Sequence, residues 1–417
     1  MKVCYIVDGR MPSEKANGYQ SAQMCQAFME AGCDVTLLTS SRKRLIGEGI
    51  SATTTPEEYY NLRVQLTKKR LPSLDFIYFL QVVLNFSDQH AITKIGSMLG
   101  SYTVAFSLAA HLNRVRYDLV YLRSTHVLLA ILPLLPKNMY PRIVFEVHSL
   151  PNSPKTLDKL VHALQPIGGT VSVTGQLKNQ LVNRGVPASS ICVEHDGVDL
   201  ESFDLQLKQS EARRYLGLPL DKKIAAYVGK FHTNGNEKGI PEIIQAAKYL
   251  LRNFPDLDFY FIGGPLNRLK IYEEIIDSEN LPGERFVFLD KQPVGKVPYF
   301  LKASNVLLMP HPWSEFYAYH ASPLKMFEYM SAKRPIVASK LPSVVEILLD
   351  RQNALLGEPG NPESIAANIR TALTDKELAG RIADQAYRDV QEHTWKKRAA
   401  RILSFVNKRR SIHDGQN

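Results

Sequence analysis

Lysines spaced to meet an anion are the first chemistry the sequence offers. Val228–Gly229–Lys230–Phe231 closes an apolar run, and eight residues after Lys230 stands Lys238–Gly239, ahead of a segment with helical period. Cations at the carboxyl edge of a parallel sheet are where a doubly wound domain takes an anionic ligand. Asn234–Gly235–Asn236 between them allows a tight excursion of the backbone. A third lysine lies in Ser322–Pro323–Leu324–Lys325–Met326–Phe327–Glu328. Ser322 before Pro323 predicts a cap followed by the first helical residue, which leaves the amides of Leu324 and Lys325 free for an anion. Lys325 would then be the third helical residue, opposed by the macrodipole by roughly 0.3 to 1 kcal/mol unless something negative binds nearby. Glu328, three residues on and on the same face, could accept hydrogen bonds from sugar or ribose hydroxyls. Each feature alone also has a plainer reading: surface cations for Lys230 and Lys238, an i,i+3 ion pair for Lys325 and Glu328.

Further upstream, strand alternation in Phe145–Glu146–Val147–His148–Ser149 places Glu146 and His148 on one face, with His148 at the strand tip, able to donate to a ligand in a crevice between domains or, on the plainer reading, to be a satisfied core histidine. Asn17–Gly18 is expected to form a loop ahead of a helix at Tyr19, with backbone that can approach a ligand closely. Two other signals are weaker. Asp256–Leu257–Asp258 has the form of a metal-binding DxD but follows Pro255 between helix and strand, which predicts a turn and strand entry. No G-x-G-x-x-G follows the first strand, which disfavours a nicotinamide or flavin enzyme. Cys4, Cys25, Cys33 and Cys192 lack zinc-ligand spacing, so neither a zinc site nor a disulfide framework is expected, and a reducing cytosol fits best.

The elements that must hold these residues follow from hydrophobic rhythm. Short apolar runs alternate with helical-period segments, the pattern of βαβ units on a buried parallel sheet. Strands are expected at Val3–Val7, Val35–Thr39, Leu119–Leu122, Ile143–Val147, Val171–Val173 and Ile191–Glu194, with a helix over Tyr19–Ala31 stopped by Gly32. The pattern restarts with strands at Ile224–Val228, Phe259–Ile262, Phe286–Leu289, Val306–Met309 and Ile336–Ala338, and helices opening near Pro241, Pro293 and Pro323. The economical fold is therefore α/β, with two doubly wound domains. The least regular part, Ser40 to Lys94, carries the clusters Arg42–Lys43–Arg44 and Lys68–Lys69–Arg70 and the run Phe76–Ile77–Tyr78–Phe79–Leu80. That combination reads either as contact with an anionic lipid surface or as a solvated loop before a core helix. With 417 residues, 45% hydrophobic and 22% charged, the chain is neither disordered nor fibrous, and its net charge of +10 suits anionic ligands or membrane surfaces. No apolar stretch is expected to act as a signal peptide or to span a membrane.

Taken in order, these residues resemble the retaining glycosyltransferases of family four, which have the two-domain GT-B fold. The resemblance rests on Lys15–Ala16–Asn17–Gly18, the His148 strand end, Asp196–Gly197–Val198–Asp199–Leu200–Glu201–Ser202–Phe203, Gly229–Lys230, Lys238–Gly239, Val297–Pro298–Tyr299–Phe300, the block from Ser322 to Ser339, and Thr394–Trp395–Lys396–Lys397–Arg398. It implies an N-terminal acceptor domain over residues 1–204, completed by a final helix at 393–417, and a donor domain over 205–392. It further implies transfer of a hexose-type sugar from a nucleotide diphosphate sugar to a glycan or lipid-linked acceptor, such as an envelope glycolipid or polysaccharide precursor. Neither metal nor nucleic acid is implied, and the setting is cytoplasmic, with peripheral contact to the inner face of an anionic membrane as an option. By resemblance, Lys230 (where the family usually has Arg) and Lys238 neutralise the leaving diphosphate, and the amides of Leu324 and Lys325 assist. Glu328 holds the ribose, and His148 contacts the sugar near its sixth carbon. Asn17, Gly18, Gly229, Ser322 and His320 complete the donor site. The family's first glutamate, eight residues before the second, is replaced by His320, so the sugar subsite departs from the family pattern, and Glu315 is a substitute to consider. Two other functions are compatible with such a fold, a silent nucleotide-sugar binder and a nucleotide-sugar epimerase.

Overall fold

The computed structural model describes residues 1–13, 15–41, 53–74, 89–233 and 236–414. The Arg42–Lys43–Arg44 cluster, the Phe76–Leu80 run and Asn234–Gly235 lie outside the described residues. The chain divides into two units, Met1–His195 with Trp395–Asn417, and Asp196–Thr394. Among the described residues no helix is long and apolar enough to cross a membrane.

The first unit is built on a sheet whose described strands run β3-β2-β1-β4-β5-β6-β7, every neighbouring pair parallel. Its strands are β1 (Lys2–Val7), β2 (Asp34–Ser40), β3 (Thr67–Leu71), β4 (Leu119–Leu122), β5 (Ile143–Val147), β6 (Gly169–Ser172) and β7 (Ile191–Val193). β1, β4 and β5 are buried almost throughout, as a parallel sheet covered on both faces requires. The order reverses between β1 and β4, which pairs Val3 with Val35 on one side and with Leu119 on the other. That reversal opens the ligand-binding edge of such a sheet.

The helix expected over Tyr19–Ala31 runs from Ala16 to Glu30 and ends where Gly32 takes φ of +81°. There the Gly32 amide donates to Met29 O at 2.9 Å and the Cys33 amide to Phe28 O at 3.0 Å. The terminal helix Trp395–Asp414 belongs to this unit, and a Cβ on Gly169 would come within 2.6 Å of the Phe405 ring. One strand departs from the sequence reading. Lys68–Lys69–Arg70 is part of edge strand β3 rather than irregular chain, and its charge hid it. Lysines on an edge blunt unwanted pairing and erase the apolar signal of a strand.

The second unit carries strands in the order β12-β11-β8-β13-β14-β15, again all parallel. These are β8 (Lys223–Val228), β11 (Leu257–Ile262), β12 (Phe286–Leu289), β13 (Val306–Met309), β14 (Ile336–Ser339) and β15 (Leu355–Gly357), with a small antiparallel pair, β9 (His232–Thr233) and β10 (Asn236–Glu237), beside them. Alternation along β8 splits its side chains between two cores. Ile224, Ala226 and Val228 pack with Met326, Phe327 and Met330, while Ala225 and Tyr227 pack with Ile240, Ile243 and Ile244. The helices containing those residues, Leu324–Ser331 and Ile240–Ala247, therefore lie on opposite faces of the strand that ends at Gly229. The Asp256–Leu257–Asp258 segment enters β11, with Asp256 paired to Lys223 and Asp258 to Arg285 at 3.1 Å.

Candidate functional site

In the second unit the chain leaves β8 through Gly229, whose φ of +141° disfavours any other residue. A Cβ there would also stand 2.8 Å from Lys325 Nζ. Lys325 lies inward on its helix rather than in a surface ion pair with Glu328. It is buried, donates to the Tyr227 hydroxyl, and holds its ammonium 3.7 Å from the centroid of the Tyr227 ring. Tyr227 in turn donates to Lys230 O at 2.7 Å, so the lysine-bearing turn and the buried lysine share one phenol. Lys238 approaches from the loop before the Ile240 helix, where its amide donates to Phe231 O at 3.1 Å. Gly239, with φ of +94°, has no room for a Cβ against Pro310. Lys230, Lys238 and Lys325 are thus gathered at the carboxyl ends of β8 and β13.

Lys325 is buried and Lys238 half-buried, each beside like charge. Burial and then Lys230 push Lys238 down to about 8, and burial and then Lys238 push Lys325 well below the usual lysine range. His311, just beyond β13, is 3% exposed, and neither of its ring nitrogens has a hydrogen-bond partner among the described residues. Its ring stacks on Tyr317 at 4.7 Å, and burial, Lys325 and Lys238 push its pKa well below the usual histidine range. The nearby Glu237 is taken by Arg268 at 2.7 Å and Tyr272 at 3.0 Å. Glu328, on the Lys325 helix, is pushed up to about 7 by burial, against the pull of Lys325. Among the described residues no group of three or more His, Cys, Asp or Glu is gathered to hold a metal.

Two expectations about the helix start need correction. Pro323, not Ser322, is the cap, Leu324 is the first helical residue and Lys325 the second. The Ser322 hydroxyl is spent elsewhere, accepting from the Asp196 amide at 2.9 Å, so it cannot cap the helix. The amides at the start of the helix still lack intrahelical acceptors, as any helix start does. His320 is not on an open loop either. It ends a π-helical turn, Phe316–His320, in which the Ala321 amide reaches back to Phe316 O at 3.0 Å, and it is 9% exposed. Burial lowers its pKa, with Glu315 opposing. Glu315 itself is exposed just ahead of the turn. Such π turns interrupt regular helix where a side chain must be aimed.

In the first unit, His148 follows β5 directly and bonds through Nε2 to Glu146, as alternation along the strand predicted. Glu146 is wholly buried and accepts from Gln20 Nε2 at 2.5 Å and from the Tyr121 hydroxyl, and it pairs with Arg398 at 3.2 Å. Burial alone would raise its pKa, but Arg398, His148 and Arg123 hold it well below the carboxylate range. Asn17 and Gly18 are not a loop before the helix but its first turn, because the helix opens at Ala16 and the Gly18 amide bonds Lys15 O at 3.0 Å. Asn17 is exposed there, while Gly18 leaves space for the Tyr60 hydroxyl, which donates to Ser13 O at 2.8 Å. Sequence reasoning missed Arg398, Gln20, Arg123 and Tyr121, which reach Glu146 from distant segments. In the second unit it missed Tyr227 and the burial of the Lys325 side chain against it. It also missed His311, whose one signal is a histidine at a strand end, the pattern already noted for His148.

Comparison with known proteins matches the two parts of the chain to two family descriptions. Residues 208–389 match the family described as "Glycosyl transferases group 1", and residues 20–202 match "Glycosyltransferase Family 4". The chain is 24% identical to the D-inositol 3-phosphate glycosyltransferase of Corynebacterium urealyticum over 351 residues, 82% of this chain and 77% of that protein. It is 25% identical to the sulfoquinovosyl transferase of Arabidopsis thaliana over 232 residues, 54% of this chain but only 41% of the relative. Among solved structures, sucrose-phosphate synthase from Thermosynechococcus elongatus superposes with a TM-score of 0.74 at 18% identity, over 99% of each chain. The Anabaena protein HepE in complex with UDP-glucose superposes at 0.67 with 16% identity, over 97% of this chain and 99% of the other.

Proposed function

The chain belongs to glycosyltransferase family 4 and has the GT-B fold, and from that premise we propose that it moves a hexose-type sugar from a nucleotide diphosphate sugar to a glycan or lipid-linked acceptor, with retention of configuration and without a metal. The observation that carries this reading is the set of cations at the ends of β8 and β13, where Lys230, Lys238 and Lys325 stand with unpartnered His311 and with Glu328 as the adjacent carboxylate. Charge develops on the diphosphate as the glycosidic bond breaks, and fixed cations aimed at it stabilise that transition state without reorganising. Lys230 and Lys238 are assigned that role, with the helix-start amides of Leu324 and Lys325. Glu328 takes the ribose hydroxyls. In the first unit His148 is assigned to the sugar, its ring oriented by Glu146.

The deciding experiment is incubation with a panel of nucleotide sugars, reading nucleoside diphosphate release and thermal stabilisation together, with and without EDTA. A true donor at 100 times its dissociation constant should stabilise by roughly 2.7 kcal/mol and be turned over unchanged in EDTA. Stabilisation without transfer to any acceptor would make the protein a silent binder, and activity lost in EDTA and restored by Mg²⁺ or Mn²⁺ would remove the metal-independent mechanism.

His320 and Glu328 should fail differently. His320 occupies the place of the family's first glutamate, at the end of the π turn, so His320→Ala should reorder the preference among sugars carried on one nucleotide. Glu328→Ala should weaken all of them alike, because they share the ribose. Unchanged donor ranking in His320→Ala, with rates within about twofold or under roughly 0.5 kcal/mol, would take His320 out of the sugar subsite.

A further inference from the structure

Lys325 is the feature of the second unit that the resemblance leaves without a role for its side chain. Its ammonium lies under the Gly229 turn, 2.8 Å from where a Cβ on that glycine would be, and its one hydrogen-bond acceptor among the described residues is the Tyr227 hydroxyl. An ammonium has three hydrogens to donate, so two are unspent. The groups facing it are Tyr227 on β8, Lys238 ahead of the Ile240 helix, His311 beyond β13 and Glu328 on its own helix. Two of these are basic, and Glu328 is itself displaced toward neutrality. A buried cation beside other cations destabilises the empty fold. Nothing else within the described part of this unit uses it.

We infer that Lys325 is a third donor to the leaving diphosphate, reaching it from beneath Gly229, and that nucleotide binding places a proton on it. The inference rests on the proposed donor site. In the free protein burial and then the neighbouring Lys238 hold Lys325 well below the usual lysine range. A dianion seated on Gly229–Lys230 reverses that balance, because an opposite charge within about 4 to 6 Å favours the charged form. The bound state then holds more protons than the free state, so binding weakens as pH rises, by up to roughly tenfold per pH unit for one proton. Lys238, pushed down to about 8, adds to this uptake increasingly as pH nears and passes that value. The signature separates a ligand-contacting lysine from one that merely fills space.

The test is calorimetric titration with a nucleoside diphosphate, chosen from UDP, GDP, ADP and dTDP by thermal shift, at pH 7.5 in two buffers of different ionisation enthalpy. The wild-type protein should take up protons on binding, and its affinity should fall as pH rises. Lys325→Met, close in shape and apolar, should lose that uptake and bind at least about tenfold more weakly, as expected for a lost charge-assisted bond. Its melting temperature without nucleotide should be no lower than wild type, since the substitution removes a buried amine. Lys238→Ala, which removes one of the groups that depress Lys325, should keep the uptake only in part. Wild-type proton uptake in Lys325→Met, or wild-type affinity that does not change with pH, overturns the inference and leaves the donor reading standing. Absence of binding by all four diphosphates overturns both.

Discussion

Lys238→Ala should lower kcat by roughly 30- to 1,000-fold, about 2 to 4 kcal/mol of barrier, with a much smaller change in KM. The asymmetry follows from when the charge appears. In the bound donor the diphosphate is an ester with its charge shared, whereas in the transition state it gains most of a further unit as the glycosidic oxygen departs. An ammonium aimed at that oxygen therefore binds the transition state more tightly than the ground state, and that differential raises kcat. Lys230→Ala should behave in the same way, because the two lysines sense each other strongly enough for Lys230 to depress Lys238. The wild-type profile of kcat/KM, which reports ionisations of the free protein, should fall as pH rises through about 8, where Lys238 loses its proton. The inflection at about 8 should be lost in Lys238→Ala. Steady-state kinetics across pH 6.5 to 9.5 read both effects. If both variants keep wild-type turnover and show only a raised KM, the lysines bind the donor uniformly and do not assist departure.

The sequence made the interior of each sheet visible and its margins obscure. β4, β5 and β13 lie where their apolar runs predict, because a strand buried on both faces has little choice of composition, and β12, an edge strand, was legible from its aromatic run as well. β3 was concealed by Lys68, Lys69 and Arg70, and β15 by its length of three residues. Of the site, the residues just beyond strand ends were legible: His148 after β5, Gly229–Lys230 after β8 and Lys238 ahead of the Ile240 helix. Side-chain direction was not. Ser322 looks like a cap in one dimension, but the Asp196 amide, far away in sequence, takes its hydroxyl. Lys325 looks like a solvent-facing helical lysine, yet the absent side chain at Gly229 leaves a space that its ammonium fills beside Tyr227. Asn17 and Gly18 were placed one turn too early because no apolar period marks the first turn of the Ala16–Glu30 helix.

Arg398→Met should cost the first unit about 3 to 5 kcal/mol and lower its melting temperature by roughly 6 to 20 °C. Arg398 is 1% exposed and Glu146 is wholly buried. The guanidinium also donates to His195 O at 2.8 Å and Glu194 O at 3.1 Å, which ties the Trp395–Asp414 helix to the ends of the sheet. Most of the expected loss comes from the group left behind, a carboxylate out of water without its main counterion. Relieving the carboxylate should therefore relieve the variant. Arg398→Met combined with Glu146→Gln should recover more than half of the deficit. Acid should act in the same direction. In the wild type the Glu146 pKa is held well below its ordinary value, so its contribution is present above the unfolded value of about 4.5 and is lost as pH falls through the folded one. In Arg398→Met the carboxyl can escape by protonation, so the gap to wild type should be widest at pH 7 and should narrow toward pH 4.5. Thermal melts of the three proteins at the two pH values decide it. An equal gap at both, with no recovery in the double variant, would mean that Arg398 stabilises through packing and its carbonyl bonds, and that Glu146 and His148 are held in place without it.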